Sequence, residues 1–344
     1  MMNLLDSNNV WQADNLPDGL SFKDGVISGK PTTRGVYTVP VTVSNELGAS
    51  TKNIIIKCKR RADVTIMKDG AELEQITIPE LVASIQDGTA QSKYNCTSTQ
   101  MLISLAHPLT GAVIDNVALN FCSFRTVTLQ DSSTKTGLIL QFAQTLWKGF
   151  APFGTNNFNR WKYSQLRKWL NASGSDWFTS SYTADTLNPH AGSYTDSGIL
   201  GFLSCIPASL AEVLLPVKVV TQAFFDDSNE DTAIDDPDYI DGIDADITYD
   251  KIFIPSISEM AINSDGNQYF PEAGFEGAAW DYYSALSSGS EISKDLDNRT
   301  CSIITRSAYL NGTSQILYAN NNLQISAGNV YNADSAPAPA FVIG

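Results

Sequence analysis

Hydrophobic positions in this 344-residue chain fall in short runs with two different spacings. In Val36–Ser44, Val39, Val41 and Val43 alternate with Thr38, Pro40, Thr42 and Ser44. That period of two predicts a strand with its valines on a core face. Pro40 within the run points to an edge strand or a bulge, because proline cannot donate to a ladder. Asn53–Cys58 predicts the partner strand, and Asn45–Gly48 the hairpin turn between them. Further strands are predicted near Met101–Leu105, Val117–Cys122, Thr126–Leu129 and Leu138–Phe142, with the polar stretch Asp131–Thr136 as a hairpin loop. Helical spacing is rarer. Leu81 and Ile85 share a face of a helix predicted over Pro79–Gln86, with Pro79 in its first turn and Gly88 past its end. The clearest helix is Trp161–Leu170, where Ser164 can cap and Leu166, Trp169 and Leu170 recur at i, i+3, i+4. Two more helices are predicted over Ala208–Leu215 and Glu276–Leu286, the latter with Trp280 and Tyr283 inward. A buried strand at Ile252–Ile254 runs into Ser256-x-x-Glu259, the spacing of a capping box that starts a short helix. From Thr300 onward, short strands alternate with Asn/Gly turns, and no internal repeat is visible.

Charge divides the chain. The first 61 residues carry eight basic and five acidic side chains, a net of +3, leaving −18 of the total −15 to the remainder. With roughly 100–200 residues per domain, this predicts a small domain over 1–60 and a larger one over 61–344, joined at Lys59-Arg60-Arg61. So acidic a chain repels phosphate backbones and anionic lipid, which argues against nucleic-acid binding and membrane docking. The most apolar window, Ile199–Val220, contains Ser204, Pro207, Glu212, Pro216 and Lys218, so no membrane insertion is expected there. The N-terminus lacks a basic segment followed by a long apolar run, and no secretory signal is predicted.

Two stretches carry longer patterns. Leu16-Pro17-Asp18-Gly19-Leu20-Ser21-Phe22, then Gly25-Val26-Ile27-Ser28-Gly29-Lys30-Pro31-Thr32, then Gly35-Val36-Tyr37-Thr38-Val39 follow an LPxGLxF…GxIxGxPTxxGxYxV pattern. The segment resembles the small immunoglobulin-like modules of bacterial surface proteins and phage virion proteins, where they serve as spacers or anchors. The usual first strand is short or missing, so the resemblance leaves the sheet to be completed by the chain's own tail or by a neighbour. Downstream, Trp161-x-x-Ser164-x-x-Arg167-x-Trp169-Leu170-Asn171, then Tyr249-Asp250-Lys251-Ile252-Phe253-Ile254-Pro255-Ser256 with Glu259, then Thr305-Arg306-Ser307, then Ala338-Pro339-Ala340-Phe341 occur in order. This series resembles an uncharacterised domain family of phages and Gram-positive bacteria, over about 62–344. The family's usual final Arg is Ala338 here. The layout of the ending is similar to C-type-lectin-like folds, including formylglycine-generating-enzyme relatives. The implied fold class is an all-β immunoglobulin-like sandwich followed by an α+β C-type-lectin-like domain.

Candidate chemistry is sparse. His107 and His190 stand beside prolines and lack the partners of a triad or a His-rich metal site. The five cysteines are scattered, with no C-x-x-C, and read as free thiols. No Gly-rich phosphate loop occurs. Pairs of carboxylates of the kind used in glycoside cleavage are inevitable among 37 acids and carry little information. Between Asp226 and Asp250 lie eleven acids and no base. Calcium is the one ion this favours, through Asp238, Asp241, Asp244 and Asp246, although the spacing is not that of an EF-hand and a solvated loop is the simpler reading. Trp177, Tyr182, Tyr194, Tyr269 and Tyr309 lie among Ser, Thr, Asn and Gly, where rings can stack on sugars while polar neighbours bond hydroxyls. Tyr309, Asn311, Tyr318, Asn320, Asn321 and Asn322 are the candidate ligand contacts.

These features predict a non-enzymatic phage virion protein, made in the host cytoplasm and carried on the virion surface as a head fibre, capsid decoration or tail-associated protein. Its N-terminal domain would engage other virion proteins, and its second domain a host cell-surface glycan or protein. The alternatives are a fragment of a bacterial cell-surface adhesin and, more distantly, a glycan-active enzyme.

Overall fold

The computed structural model describes residues 9–31, 35–58, 62–147, 159–175, 199–222, 245–262, 269–271, 273–286, 295–310, 315–320, 322–329 and 335–344. The chain divides into two compact units, Met1–Ala62 and Asp63–Gly344.

Among its described residues the first unit has five strands. β1 (Val10–Ala13), β4 (Gly35–Asn45) and β5 (Gly48–Cys58) form an antiparallel sheet in the order β1-β4-β5, and β2 (Leu20–Lys23) pairs with β3 (Val26–Gly29). Asp24-Gly25 joins β2 to β3 with both residues at positive φ, the conformation that matches the twist of a two-residue hairpin. The alternation in β4 is realised at Val39 and Val43, both buried, while Val41 is half-buried. A four-residue first strand is present, pairing Val10–Ala13 with Val41–Ser44. Pro40 departs from expectation. It lies in the central strand, and the β4–β5 ladder passes it without a bulge. Its carbonyl accepts from Asp14 N–H at 3.1 Å, so the side on which it lacks a donor faces the point where β1 ends. The glycine at position 29 is required by contact: φ is +113°, and a Cβ there would overlap the Gly19 carbonyl oxygen.

The second unit is built on a seven-stranded sheet. β6 (Val64–Lys68), β7 (Ala71–Ile76), β8 (Thr99–Ala106), β9 (Val113–Thr128), β10 (Thr134–Phe142), β13 (Ile252–Phe253) and β18 (Ala340–Ile343) run in the order β13-β18-β10-β9-β8-β6-β7. The chain's last strand thus lies between β10 and β13 and ties the early strands to the late ones. An antiparallel pair of β11 (Val217–Gln222) and β12 (Ala245–Asp250) and a four-stranded sheet, β16 (Ile325–Asn329), β15 (Gln315–Ala319), β14 (Ser302–Ala308) and β17 (Ser335–Pro337), complete the strands among the described residues. The helices are short: α1 (Ile78–Gln86), α2 (Thr89–Lys93), α3 (Gln165–Leu170), α4 (Ala208–Ala211) and α5 (Asp281–Ser284). Trp161, Trp169, Trp280, Phe121, Phe142, Phe202 and Phe341 fill the core.

Local chemistry accounts for the element boundaries. Thr77 and Glu80 form a reciprocal capping box that starts α1 one residue before Pro79, and Ile78, Leu81 and Ile85 are buried. The predicted strands 117–122 and 126–129 are one strand, β9. Ser123 and Arg125 interrupt its apolar alternation because they reach other elements: Ser123 donates to Asp281 at 2.7 Å, and Arg125 donates to the Ala278 and Ala279 carbonyls. The predicted helix 161–170 is a 3-10 turn over Trp161–Tyr163 followed by α3, with Ser164 capping α3 by accepting from Arg167 N–H. Two other helices are shorter than predicted. Residues 214–215 are drawn onto β18 through Leu215 N–H to Val342 O at 2.9 Å, and Glu276 lies in a turn ahead of α5. Ser256 and Glu259 do form the capping box, but turns follow it instead of a helix.

Candidate functional site

The motif beginning at Trp161 docks on Asp250. Residues 246, 248 and 250 alternate onto one face of β12, and all three are buried. The Trp161 indole N–H donates to Asp250 Oδ2 at 2.9 Å, Thr248 Oγ1 to the same oxygen at 2.6 Å, and Arg167 Nε to Oδ1 at 2.7 Å. Asn171, which ends α3, receives the Lys251 and Ile252 N–H groups on Oδ1 and donates from Nδ2 to the Ile252 carbonyl at 2.7 Å. A carboxylate with three donors and an amide clasping the next peptide fasten α3 to the β12–β13 corner. Trp169 adds a 3.0 Å bond from its indole N–H to Leu200 O and a ring contact with Phe202 at 5.2 Å.

The Arg306 motif forms a second buried centre. Its guanidinium donates to Glu259 Oε2 at 2.5 Å, to the Ile254 carbonyl at 2.8 Å and to the Glu276 carbonyl at 2.6 Å. The Glu276 side chain accepts from Gln222 N–H at 3.0 Å and from the Ser307 hydroxyl, and Ser307 Oγ accepts from Ile257 N–H at 3.0 Å. Burial is the largest influence on Glu276 and pushes its carboxyl up to about 7, against the nearby Arg306 charge. This centre links the end of β11, the residue after β13 and the turn ahead of α5 to β14. Asp250 and Arg306, at the hearts of the two centres, are buried and bonded within the unit, while Arg167 and Glu259 at their margins keep some exposure; buried polar groups paired in this way are what structural networks require.

The candidate ligand residues do not form one cluster. Tyr309 and Asn320 flank opposite ends of β15, which at roughly 3.3 Å per residue separates them by its whole length. Tyr318 corrects the expectation of a surface contact: its side chain is buried and its hydroxyl bonds the Asn329 carbonyl. Asn320 is a turn former, its Oδ1 accepting from Asn322 and Gln324 N–H at 2.9 Å each. Asn322 is exposed in that turn. Asn311 and Asn321 lie outside the described residues, as do Asp238, Asp241, Asp244 and His190. Asp246 is not a loop residue but a buried one on β12, paired with Arg160 through both carboxylate oxygens. Among the described residues no group of three metal-ligating side chains occurs, and no helix is long and apolar enough to cross a membrane. His107 accepts from Leu109 and Thr110 N–H on Nδ1 and packs on Trp147, with burial lowering its pKa. The thiols are free, and burial raises Cys96 to about 11 and Cys205 to about 12. Such thiols are poor nucleophiles.

Tyr309 has other company, which its sequence neighbours did not indicate. Its N–H donates to Gln315 O at 3.1 Å, and Asn159 Nδ2 donates to both the Tyr309 and Gln315 carbonyls at 3.3 and 2.9 Å. Gln315 in turn pairs with Asn329 across β15 and β16.

Residues 153–344, more than half of the chain, match the model of a family described as a domain of unknown function, DUF6273. The chain belongs to that family. The match begins later than the resemblance from residue 62 had implied, although the compact unit starts at Asp63 and β18, within the matched span, pairs with β10, outside it. Residues 6–57 match an immunoglobulin-domain model, He_PIG. No curated protein and no solved structure matches the chain. The DUF6273 residues Trp161, Arg167, Asn171, Asp250, Glu259 and Arg306 all take part in the two buried centres.

Proposed function

We propose that this chain is a non-enzymatic phage virion protein, a head fibre, capsid decoration or tail-associated protein. It is made in the host cytoplasm and displayed on the particle, and it presents a host- or glycan-binding surface. The observation carrying this reading is that the polar residues of the DUF6273 motifs bond one another inside the unit. A motif with its reactive side chains satisfied internally specifies a scaffold, and recognition then falls to the surface the scaffold carries. The immunoglobulin-like unit ahead of it suits an anchor to other virion proteins. We read the DUF6273 unit as C-type-lectin-like, supported by the order of its ending: Thr305-Arg306-Ser307 on β14, then β15 to β17, then Ala338-Pro339-Ala340-Phe341 leading into β18. The reading requires no metal and no cofactor. Immunogold labelling of particles released by lysis tests it. Label on particles supports a virion protein, whereas label confined to the bacterial envelope supports a cell-surface adhesin.

A further inference from the structure

From the placement of Tyr309 we infer a specific saccharide-binding subsite, an aromatic step of Tyr269, Phe270 and Tyr309 flanked by the side-chain amides of Gln315 and Asn329; it rests on the glycan-binding reading above.

The β14–β15 ladder shifts register between Ile304 and Ala308, so β14 carries extra residues there. Bulges of this kind re-aim side chains beside functional sites. Here the bulge holds Arg306 and Ser307, which the buried Glu259–Glu276 centre draws away from β15 through Arg306 N–H to Pro255 O at 3.1 Å. The ladder resumes at Ala308↔Ile316, which sets Tyr309 opposite Gln315. Gln315 pairs with Asn329, so one row running from the residue after β14 through β15 to β16 carries a phenol and two amides on one face of the sheet. Leu310 N–H donates to Tyr269 O at 2.7 Å and brings Tyr269 and Phe270 against the same ring, at 5.7 and 6.3 Å between centroids.

Three properties of this row point to a sugar. The three rings are half-buried, so each keeps solvent-facing surface, yet Tyr309 is held by its own N–H and carbonyl. A rigid, partly exposed ring offers stacking area at low entropic cost. Side-chain amides both donate and accept, as do sugar hydroxyls. The chain's net charge of −15 disfavours anionic ligands, which selects neutral saccharides over sialylated or sulfated ones.

A glycan array probed with the full chain, carrying neutral, sialylated and sulfated oligosaccharides, tests the inference. We expect retention of neutral glycans and a loss of roughly tenfold in affinity for Tyr309→Ala, the scale of one stacked ring. Tyr309→Phe should hold affinity within about twofold, because stacking survives. Tyr309→Phe should keep the parental thermal midpoint, since it retains both ring contacts, and Tyr309→Ala should lower it only modestly while still giving a cooperative transition. Neutral-glycan binding that is indifferent to Tyr309→Ala and Phe270→Ala overturns the subsite while leaving the binding reading standing. Retention of anionic glycans alone, or of none, also overturns it. A chain missing from virions contradicts the broader reading whatever the array shows.

Discussion

Trp161 and Asp250, 89 positions apart in sequence, are joined inside the second unit by a 2.9 Å bond from indole N–H to carboxylate. Arg167 holds the other oxygen of Asp250. This arrangement explains why a tryptophan and an arginine six residues later accompany an Asp-Lys pair far downstream. Asp250→Ala removes the acceptor shared by Trp161, Thr248 and Arg167 and should cost about 3–5 kcal/mol, while Trp161→Phe, which removes one bond and keeps an aromatic ring, should cost about 1–2 kcal/mol. A double-mutant cycle by urea denaturation checks both. Additive effects would show that the pair is not coupled.

Trp169→Ala should destabilise the second unit by about 3–5 kcal/mol through the cavity it leaves. Its ring is fully buried and its N–H bonds Leu200 O. A variant of parental stability that had lost only ligand binding would make Trp169 a contact residue and not a core residue.

Glu276 should make stability depend on pH. Its folded pKa, near 7, stands above the ordinary 4.5. A folded state that binds the proton more tightly is favoured at low pH. This contribution is fully present below about 4.5 and fades as pH rises through 7. At pH 8 the buried charge should cost the parent up to about 3 kcal/mol relative to pH 4. Glu276→Gln mimics the protonated acid, so its unfolding midpoint should exceed the parent's at pH 8 and converge with it near pH 4.5. A constant difference across that range would exclude a titrating Glu276.

Trypsin should cut first within Lys59-Arg60-Arg61, which lies outside the described residues next to the division at Ala62/Asp63, because three successive basic residues at a unit boundary offer it sites ahead of those inside packed units. The expected products are a small basic fragment and a large acidic one. Early cutting inside 64–142 with this triplet intact would contradict two separately packed units.

Single-element chemistry was legible in sequence. The alternation of Val39 and Val43, the α1 face, and the Ser164 and Ser256–Glu259 caps follow from local periodicity and side-chain reach. What was not legible depends on distant partners. Ser123 and Arg125 read as a break in β9 because Asp281 and the 278–279 carbonyls that satisfy them lie more than 150 residues away. Pro40 read as an edge because its tolerance depends on where β1 stops. Tyr309 was identifiable as a loop aromatic, but its row with Gln315 and Asn329 arises from a bulge set by the buried Arg306 centre. Tyr318, two positions from Asn320, belongs to the core because β15 is buried on both faces.

The most direct test of the account is quantitative mass spectrometry of phage particles purified from the strain that encodes this chain. The account predicts both the immunoglobulin-like and the DUF6273 peptides in the particle, in equal amount and at a copy number comparable to other structural proteins. Their absence from purified particles, with the same peptides recovered from the bacterial envelope, would contradict it.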